Sequence, residues 1–337
     1  MATRVAINGM GRIGRAAFKI LMDTPELELV AVNDIADPAN IAYLLKYDTV
    51  YGRYNRTVEL DGNDLVIDGE RRIRFLQERD PSQLPWKEMN VEIVFESTGV
   101  FTKREDLQKH AEAGAKWVIL SAPAKDKDFP TVVHGVNRPD GGVNILSCAS
   151  CTTNATAPVM EILDRHFGVE KALMTTIHAY TSSQAIVDSP AKKWRRGRAG
   201  AANFVPTTTG AAVAASKALP QLEGKFDGLS IRGPVPSGSI ADITVLLSRN
   251  TTIEELRQVF IEEANGRYKG IVEASDDELV SSDILGNSHA AIIDLPMLQV
   301  VDGNMVKILS WYDNEWGYTS QMIREAQRIA EQERTPA

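Results

Sequence analysis

Ile7-Asn8-Gly9-Met10-Gly11-Arg12-Ile13-Gly14 decides how the first half of the chain folds. It sets a G-x-G-x-x-G spacing between a strand-like run, Arg4 to Asn8, and a helix-period segment from Arg12 to Met22. The bare spacing is weak evidence, but each glycine has a task in this context. Gly9 permits a tight turn, Gly11 lets backbone approach a pyrophosphate, and Gly14 allows close helix–strand packing. The helix N-terminus then offers free N–H groups to the phosphates. Asp34, twenty residues after Gly14, closes the next strand, where its carboxylate can accept bonds from ribose hydroxyls. A 2′-phosphate would meet that negative charge, so NAD is favoured over NADP. The plainer alternative is a simple glycine turn with Asp34 as a helix cap.

Working outward, strand-like runs at Leu27 to Asn33, Val91 to Glu96 and Trp117 to Leu120 alternate with helix-period segments. That alternation implies a parallel sheet with helices on both faces. After Leu146 a Ser/Thr-rich turn leads into a helix with Val159, Ile162, Leu163 and Phe167 on one face. Pro158 is expected to make the first turns of that helix irregular. Long strand-like stretches over 171–178, 226–233 and 239–247 suit a largely antiparallel sheet. A polar, basic loop runs from about Ser182 to Asn203, and Tyr318 to Glu333 reads as a closing amphipathic helix.

The 337 residues predict two domains, and 43% hydrophobic with 24% charged residues is ordinary for a globular enzyme. A net charge of −8 disfavours nucleic acid and anionic membranes as partners. Two cysteines are too few for a disulfide framework, and no apolar run reaches the roughly 18 residues of a membrane span. Val5-Ala6-Ile7 already reads as strand, so no targeting segment is expected and a cytoplasmic location follows.

Ser147-Cys148-Ala149-Ser150-Cys151-Thr152-Thr153-Asn154 places a cysteine at a strand-to-helix junction, where a helix N-terminus favours thiolate. His178 ends a strand-like run and can reach that thiol in the fold. Taken alone, the two could equally be satisfied core residues. Lys192-Lys193-Trp194-Arg195-Arg196-Gly197-Arg198 carries five positive charges in seven residues, and a solvated loop is the commoner reading of such a run.

Ser150-Cys151-Thr152-Thr153-Asn154, His178-Ala179-Tyr180-Thr181, Pro206-Thr207-Thr208-Thr209-Gly210 and Trp311-Tyr312-Asp313-Asn314-Glu315 resemble the glyceraldehyde-3-phosphate dehydrogenase family. So do Gly9 to Arg15, Glu78-Arg79-Asp80-Pro81 and Ser121-Ala122-Pro123, in order and from end to end. The resemblance implies an NAD-dependent, phosphorylating oxidoreductase that converts glyceraldehyde 3-phosphate to 1,3-bisphosphoglycerate through a Cys thioester. Cys151 would be the nucleophile and His178 its base. Thr181, Arg196 and Arg232, helped by Ser183, would hold the substrate's phosphate. Ser150, Thr152, Thr209 and Gly210 would hold the attacking one. Arg12, Ile13, Asp34, Arg79, Ser121 and Asn314 would contact NAD, alongside Gly9, Gly11 and Gly14.

The implied fold class is α/β: a Rossmann-type doubly wound parallel sheet plus an α+β catalytic domain with a mainly antiparallel sheet. The NAD-binding domain would cover 1–150, completed by a C-terminal helix over 315–337, and the catalytic domain 151–314. A homotetramer is implied as well, with small-molecule substrate and inorganic phosphate as partners and no metal. Two alternatives stay open, erythrose-4-phosphate dehydrogenase and an inactive scaffold.

Some residues depart from the family pattern. Cys148 stands where Asn is common and Ala155 where a second Cys is common. The resulting C-x-x-C spacing admits a reversible disulfide under oxidation but lacks the four ligands of a structural zinc site. Pro190 in the long loop leans toward NAD, while Ser189 beside it leaves room for a 2′-phosphate.

Overall fold

The computed structural model describes residues 2–139 and 142–334. The chain divides into two compact units. One gathers the chain before Val133, Pro139–Ala149 and the segment from Met322 on; the other gathers Val133–Arg138 and Ser150–Gln321. No helix among the described residues is long and apolar enough to cross a membrane.

In the first unit, six strands run parallel in the order Ile145–Ser147, Trp117–Leu120, Ile93–Glu96, Thr3–Asn8, Leu27–Asn33 and Arg71–Leu76. Their sequences are nearly continuous apolar runs, as expected for strands covered on both faces. The chain winds outward from Thr3–Asn8 to one side and then returns to the other side of it. That reversal is the topological switch point of a doubly wound sheet. Two further strands, Asp64–Ile67 and Val58–Asp61, extend the far edge as an antiparallel meander. The expected strand at Val91 begins at Ile93, because the Val91 amide is taken in a turn by the Trp86 carbonyl.

The glycine loop follows the first strand directly. Gly9 has a φ of +96°, and a Cβ there would lie 2.6 Å from the Thr98 amide nitrogen, across the switch point. A Cβ on Gly14 would lie 1.9 Å from the Gly9 carbonyl oxygen, whereas one on Gly11 meets nothing within 4 Å. Two of the three glycines are therefore demanded by the fold, and the third leaves space.

The second unit is built on a mixed sheet. Its order is Val205–Thr208, Phe226–Gly233, Val169–Ala179, Ser239–Leu247, Met305–Tyr312, Ala291–Asp294 and Val272–Ser275, with Gln299–Val301 also on Met305–Tyr312. Most of the pairs are antiparallel; Val169–Ala179 with Phe226–Gly233 and Val272–Ser275 with Ala291–Asp294 are parallel.

The helix Cys151–Phe167 lies against this sheet. It contradicts the expectation of irregular first turns: it is α-helical from Cys151, and Pro158 sits in its middle. The Ser150 hydroxyl caps it, accepting from the Thr153 amide at 3.1 Å. Every residue from Thr152 to Leu163 is buried, and that packing outweighs the backbone bond lost to the proline. The last helix, Trp316–Arg334, starts ahead of the expected Tyr318 because Asp313 accepts from the Glu315 and Trp316 amides, each at 2.9 Å.

Gly14→Ala should lower stability by about 2 kcal/mol or more, since neither clashing atom can yield without moving the turn. Gly11→Ala should cost less than about 1 kcal/mol. Thermal denaturation of the two variants checks the difference.

Candidate active site

Cys151 is the first residue of its helix and is half-buried. The chain reaches it through Ala149, which holds a φ of +57°. That conformation costs a non-glycine residue about 1 kcal/mol. It lets the chain turn sharply out of the strand Ile145–Ser147 and present the thiol at the helix N-terminus.

His178, near the end of the strand Val169–Ala179, places Nε2 3.3 Å from Cys151 Sγ. Its Nδ1 lies 2.7 Å from the Ala179 carbonyl oxygen. A proton on Nδ1 donates to that carbonyl and leaves the Nε2 lone pair facing the thiol. Arg232, on the neighbouring strand, donates from Nη1 to the same carbonyl at 3.0 Å and sits 2.8 Å from His178 Nδ1. Burial first, and then the Arg232 charge, push the His178 pKa down to about 3. Burial also pushes the Cys151 thiol up, against the pull of the Arg232 charge and the Thr152 N–H.

Burial thus works against charge on both partners, opposing the thiolate that a helix N-terminus favours.

Tyr312 buttresses the pair. Its buried hydroxyl lies 3.0 Å from Thr152 Oγ1 and 2.7 Å from Thr176 Oγ1, and its ring meets His178 edge-on at 5.9 Å. The Thr152 side chain thus points into the core, and its backbone N–H is the part left at the helix end. Tyr312 belongs to the motif Trp311 to Glu315, which by itself gives the side chain no role. Nothing local in the sequence signals that its hydroxyl is buried.

Two polar clusters lie in the same unit as the thiol. In one, Thr181 Oγ1 and Ser183 Oγ are 2.9 Å apart, and Arg196 donates to Ser183 Oγ at 3.3 Å and Thr207 Oγ1 at 3.2 Å. Arg196 is thus turned inward from the basic run, while Trp194 in the same run is exposed. Arg232 Nε is buried without a protein partner. In the other cluster, Ser150 Oγ and Thr153 Oγ1 are 2.8 Å apart, and Thr153 Oγ1 reaches the Ala211 carbonyl at 3.4 Å. Thr209 and Gly210 immediately precede that carbonyl, and Thr209 Oγ1 accepts from the Ala211 amide at 3.2 Å.

Asn314, also in this unit, is buried, and its Oδ1 accepts from the Ser239 hydroxyl at 2.8 Å. Ser239 thereby fixes which way the amide faces. No sequence feature had singled out Ser239.

In the dinucleotide unit, Gly9, Asp34, Arg79 and Ser121 each follow the carboxyl end of a parallel strand, along one edge of the sheet. The helix Arg12–Met22 has no side-chain cap at its N-terminus, an end whose dipole favours an anion. Together with the space over Gly11, that fits a dinucleotide pyrophosphate. Asp34 lies one residue past its strand, and its two oxygens accept from Met10 N at 2.7 Å and Ala36 N at 2.9 Å. One lone pair on each oxygen remains for a ribose hydroxyl.

Arg12 is held 2.6 Å from Asp48 and lies over the Tyr51 ring at 5.5 Å. Asp48 ends the short strand Tyr47–Asp48, and an isolated acid there carries no sequence pattern. Ile13 is half-buried beside it and Arg79 is exposed. Both cysteines are free thiols, with Cys148 buried.

Arg232→Gln should move the pH midpoint of Cys151 alkylation by iodoacetamide upward, because the cation that favours thiolate is gone. The alkylation rate at neutral pH should fall. Rate–pH profiles of wild type and variant measure this, and unchanged profiles would contradict the electrostatic account.

Comparison with known proteins agrees with this geometry. Residues 3–104 match the family model described as glyceraldehyde 3-phosphate dehydrogenase, NAD binding domain, and residues 150–314 match the corresponding C-terminal domain. Glyceraldehyde-3-phosphate dehydrogenase 2 of Streptomyces avermitilis is 49% identical over 327 residues, covering 96% of this chain and 97% of the relative. Glyceraldehyde-3-phosphate dehydrogenase 1 of Bacillus subtilis and the enzyme of Geobacillus stearothermophilus are each 47% identical over 333 residues, covering 98% of this chain and 99% of each relative. The chain belongs to the glyceraldehyde-3-phosphate dehydrogenase family.

Proposed function

We propose that the protein oxidises and phosphorylates D-glyceraldehyde 3-phosphate to 1,3-bisphosphoglycerate with NAD, through a thioester on Cys151. The observation that carries this reading is the 3.3 Å approach of His178 Nε2 to Cys151 Sγ, in a unit that also holds two polar clusters suited to phosphate.

The chemistry follows from the side chains. Sγ attacks the aldehyde carbon while Nε2 takes the thiol proton and then returns it to the former carbonyl oxygen, giving a hemithioacetal hydroxyl and a neutral imidazole. The Cys151 backbone N–H, at the helix N-terminus, stabilises the developing oxyanion. NAD, when bound, supplies the hydride acceptor that turns this adduct into a thioester. His178, neutral at rest, is suited to accept the proton of the hemithioacetal hydroxyl. Thr181, Ser183, Arg196 and the unpartnered Nε of Arg232 suit the substrate's phosphate, because a planar guanidinium pairs bidentately with such oxygens. Ser150, the Thr152 backbone, Thr209 and Gly210 suit the phosphate that cleaves the thioester. Asn314, with its oxygen pinned by Ser239, offers its amide N–H to the nicotinamide carboxamide.

We assign coenzyme binding to a domain over 1–150 with the C-terminal segment 315–337, of which 335–337 lie outside the described residues, and catalysis to 151–314. Free cysteines suit a reducing cytoplasm. A homotetramer is supported by apolar residues crowding the long loop, with Ile186 89%, Val187 71%, Trp194 88% and Phe204 71% exposed.

NADH formation from glyceraldehyde 3-phosphate should be sustained only when inorganic phosphate is present, and Cys151→Ser should abolish it. Sustained turnover without phosphate would mean that water cleaves the thioester. No turnover with a reactive Cys151 would point to erythrose 4-phosphate instead. For the assembly, Trp194→Glu should convert a tetramer to smaller species in sedimentation velocity. A monomeric wild type would overturn the tetramer.

A further inference from the structure

Beneath the glycine loop lies a buried polar chain that the reaction does not use. Glu96, the last residue of its strand, is 0% exposed, as is His110 from the helix Arg104–Glu112; Asn8 and Asn33 are 1% and 3% exposed. Glu96 Oε1 accepts from the Thr98 amide at 2.8 Å and from the Thr98 hydroxyl. Glu96 Oε2 accepts from Asn8 Nδ2 at 2.6 Å and lies 3.0 Å from His110 Nε2.

The Trp86 indole N–H donates to His110 Nδ1 at 3.0 Å. An indole can only donate, so Nδ1 must accept and the ring proton sits on Nε2, aimed at Glu96. The carboxylate therefore collects four donors. Asn8 Oδ1 in turn accepts from Asn33 Nδ2 at 2.7 Å, and Asn33 bonds the Glu78 carbonyl and amide, each at 2.8 Å.

Glu96, Asn8 and Asn33 end the adjacent parallel strands Ile93–Glu96, Thr3–Asn8 and Leu27–Asn33, and Glu78 lies two residues past the next, Arg71–Leu76. The loops that begin there carry Thr98, Gly9, Asp34 and Arg79. The Ser97 hydroxyl between Glu96 and Thr98 is buried without a protein partner. Gly9 packs so closely on the Thr98 backbone, where a Cβ would lie 2.6 Å from the Thr98 amide nitrogen, that the Thr98 loop cannot move toward the glycine loop without displacing it.

We propose that Glu96 is a positioning residue for the coenzyme. Its carboxylate ties the loop at Thr98 to the strand end at Asn8, and through Asn33 to the loops of Asp34 and Arg79, holding the cradle in its binding geometry before NAD arrives. Glutamine cannot replace it. A carboxamide has one acceptor oxygen, so its NH₂ must face either Thr98 or the donors of Asn8 and His110.

The inference rests on the NAD reading above, and titrating wild type with NAD separates the two. No NAD binding by wild type would overturn that reading. With wild-type binding in hand, Glu96→Gln should raise the Kd for NAD by about tenfold or more. At saturating NAD, the KM for glyceraldehyde 3-phosphate and the alkylation rate of Cys151 should match wild type.

An unchanged Kd, even with a lowered Tm, would reduce Glu96 to a structural role and overturn the proposal. So would equal losses in NAD and aldehyde affinity. If Glu96→Gln does not fold, Thr98→Val decides, since it removes one donor and keeps the carboxylate. A Kd raised about threefold supports the proposal, and an unchanged one overturns it.

Discussion

The parallel alignment of strand ends is the constraint on which the dinucleotide unit depends. Parallel strands deliver their carboxyl ends to one edge, so loops far apart in sequence begin side by side. Gly9, Asp34, Arg79 and Ser121 come together only for that reason. The alignment carries a steric cost at the switch point, where two loops leave adjacent strands. There the Gly9 backbone meets the Thr98 backbone with no room for a Cβ, and Gly14 meets Gly9 itself. Glycine at these two places is a packing requirement; at Gly11 it leaves open the space a pyrophosphate needs.

The second unit is organised around desolvation. Cys151, His178 and Arg232 lie on a helix end and two adjacent strands, with His178 buried and the other two half-buried. Burial disfavours the thiolate and the imidazolium alike, and the Arg232 cation adds to the second effect while opposing the first. Burial thus favours an uncharged pair with a bare nitrogen beside a thiol. Such a pair separates charge only as an electrophile arrives, when the developing oxyanion has the helix N–H groups to meet it. Tyr312 holds the helix against the sheet from behind through two threonine hydroxyls, so the thiol–imidazole distance is set by packed side chains.

Buried polar groups mark what is built with precision in both units. Asn314 has its oxygen fixed by Ser239, and Arg12 is clamped by Asp48 while lying over Tyr51. None of Ser239, Asp48 or Tyr51 belongs to a spacing pattern. Each acts through another residue, and such partners are recruited from wherever the fold passes.

What the sequence determined by itself was the local and the periodic. The glycine spacing before an apolar helix, the apolar runs of the parallel strands and the bounds of the strands at 226–233 and 239–247 are legible because they rest on neighbouring residues alone. The cysteine, histidine and arginines were legible as candidates through their motifs. Tertiary structure decided the rest. It carried a helix through Pro158, because burial on every side outweighs one missing backbone bond. It set burial against the thiolate that a helix N-terminus alone favours, because desolvation depends on what packs from other strands. It also joined Trp86, His110, Glu96, Asn8 and Asn33, since a hydrogen bond between residues up to 88 positions apart leaves no trace along the chain.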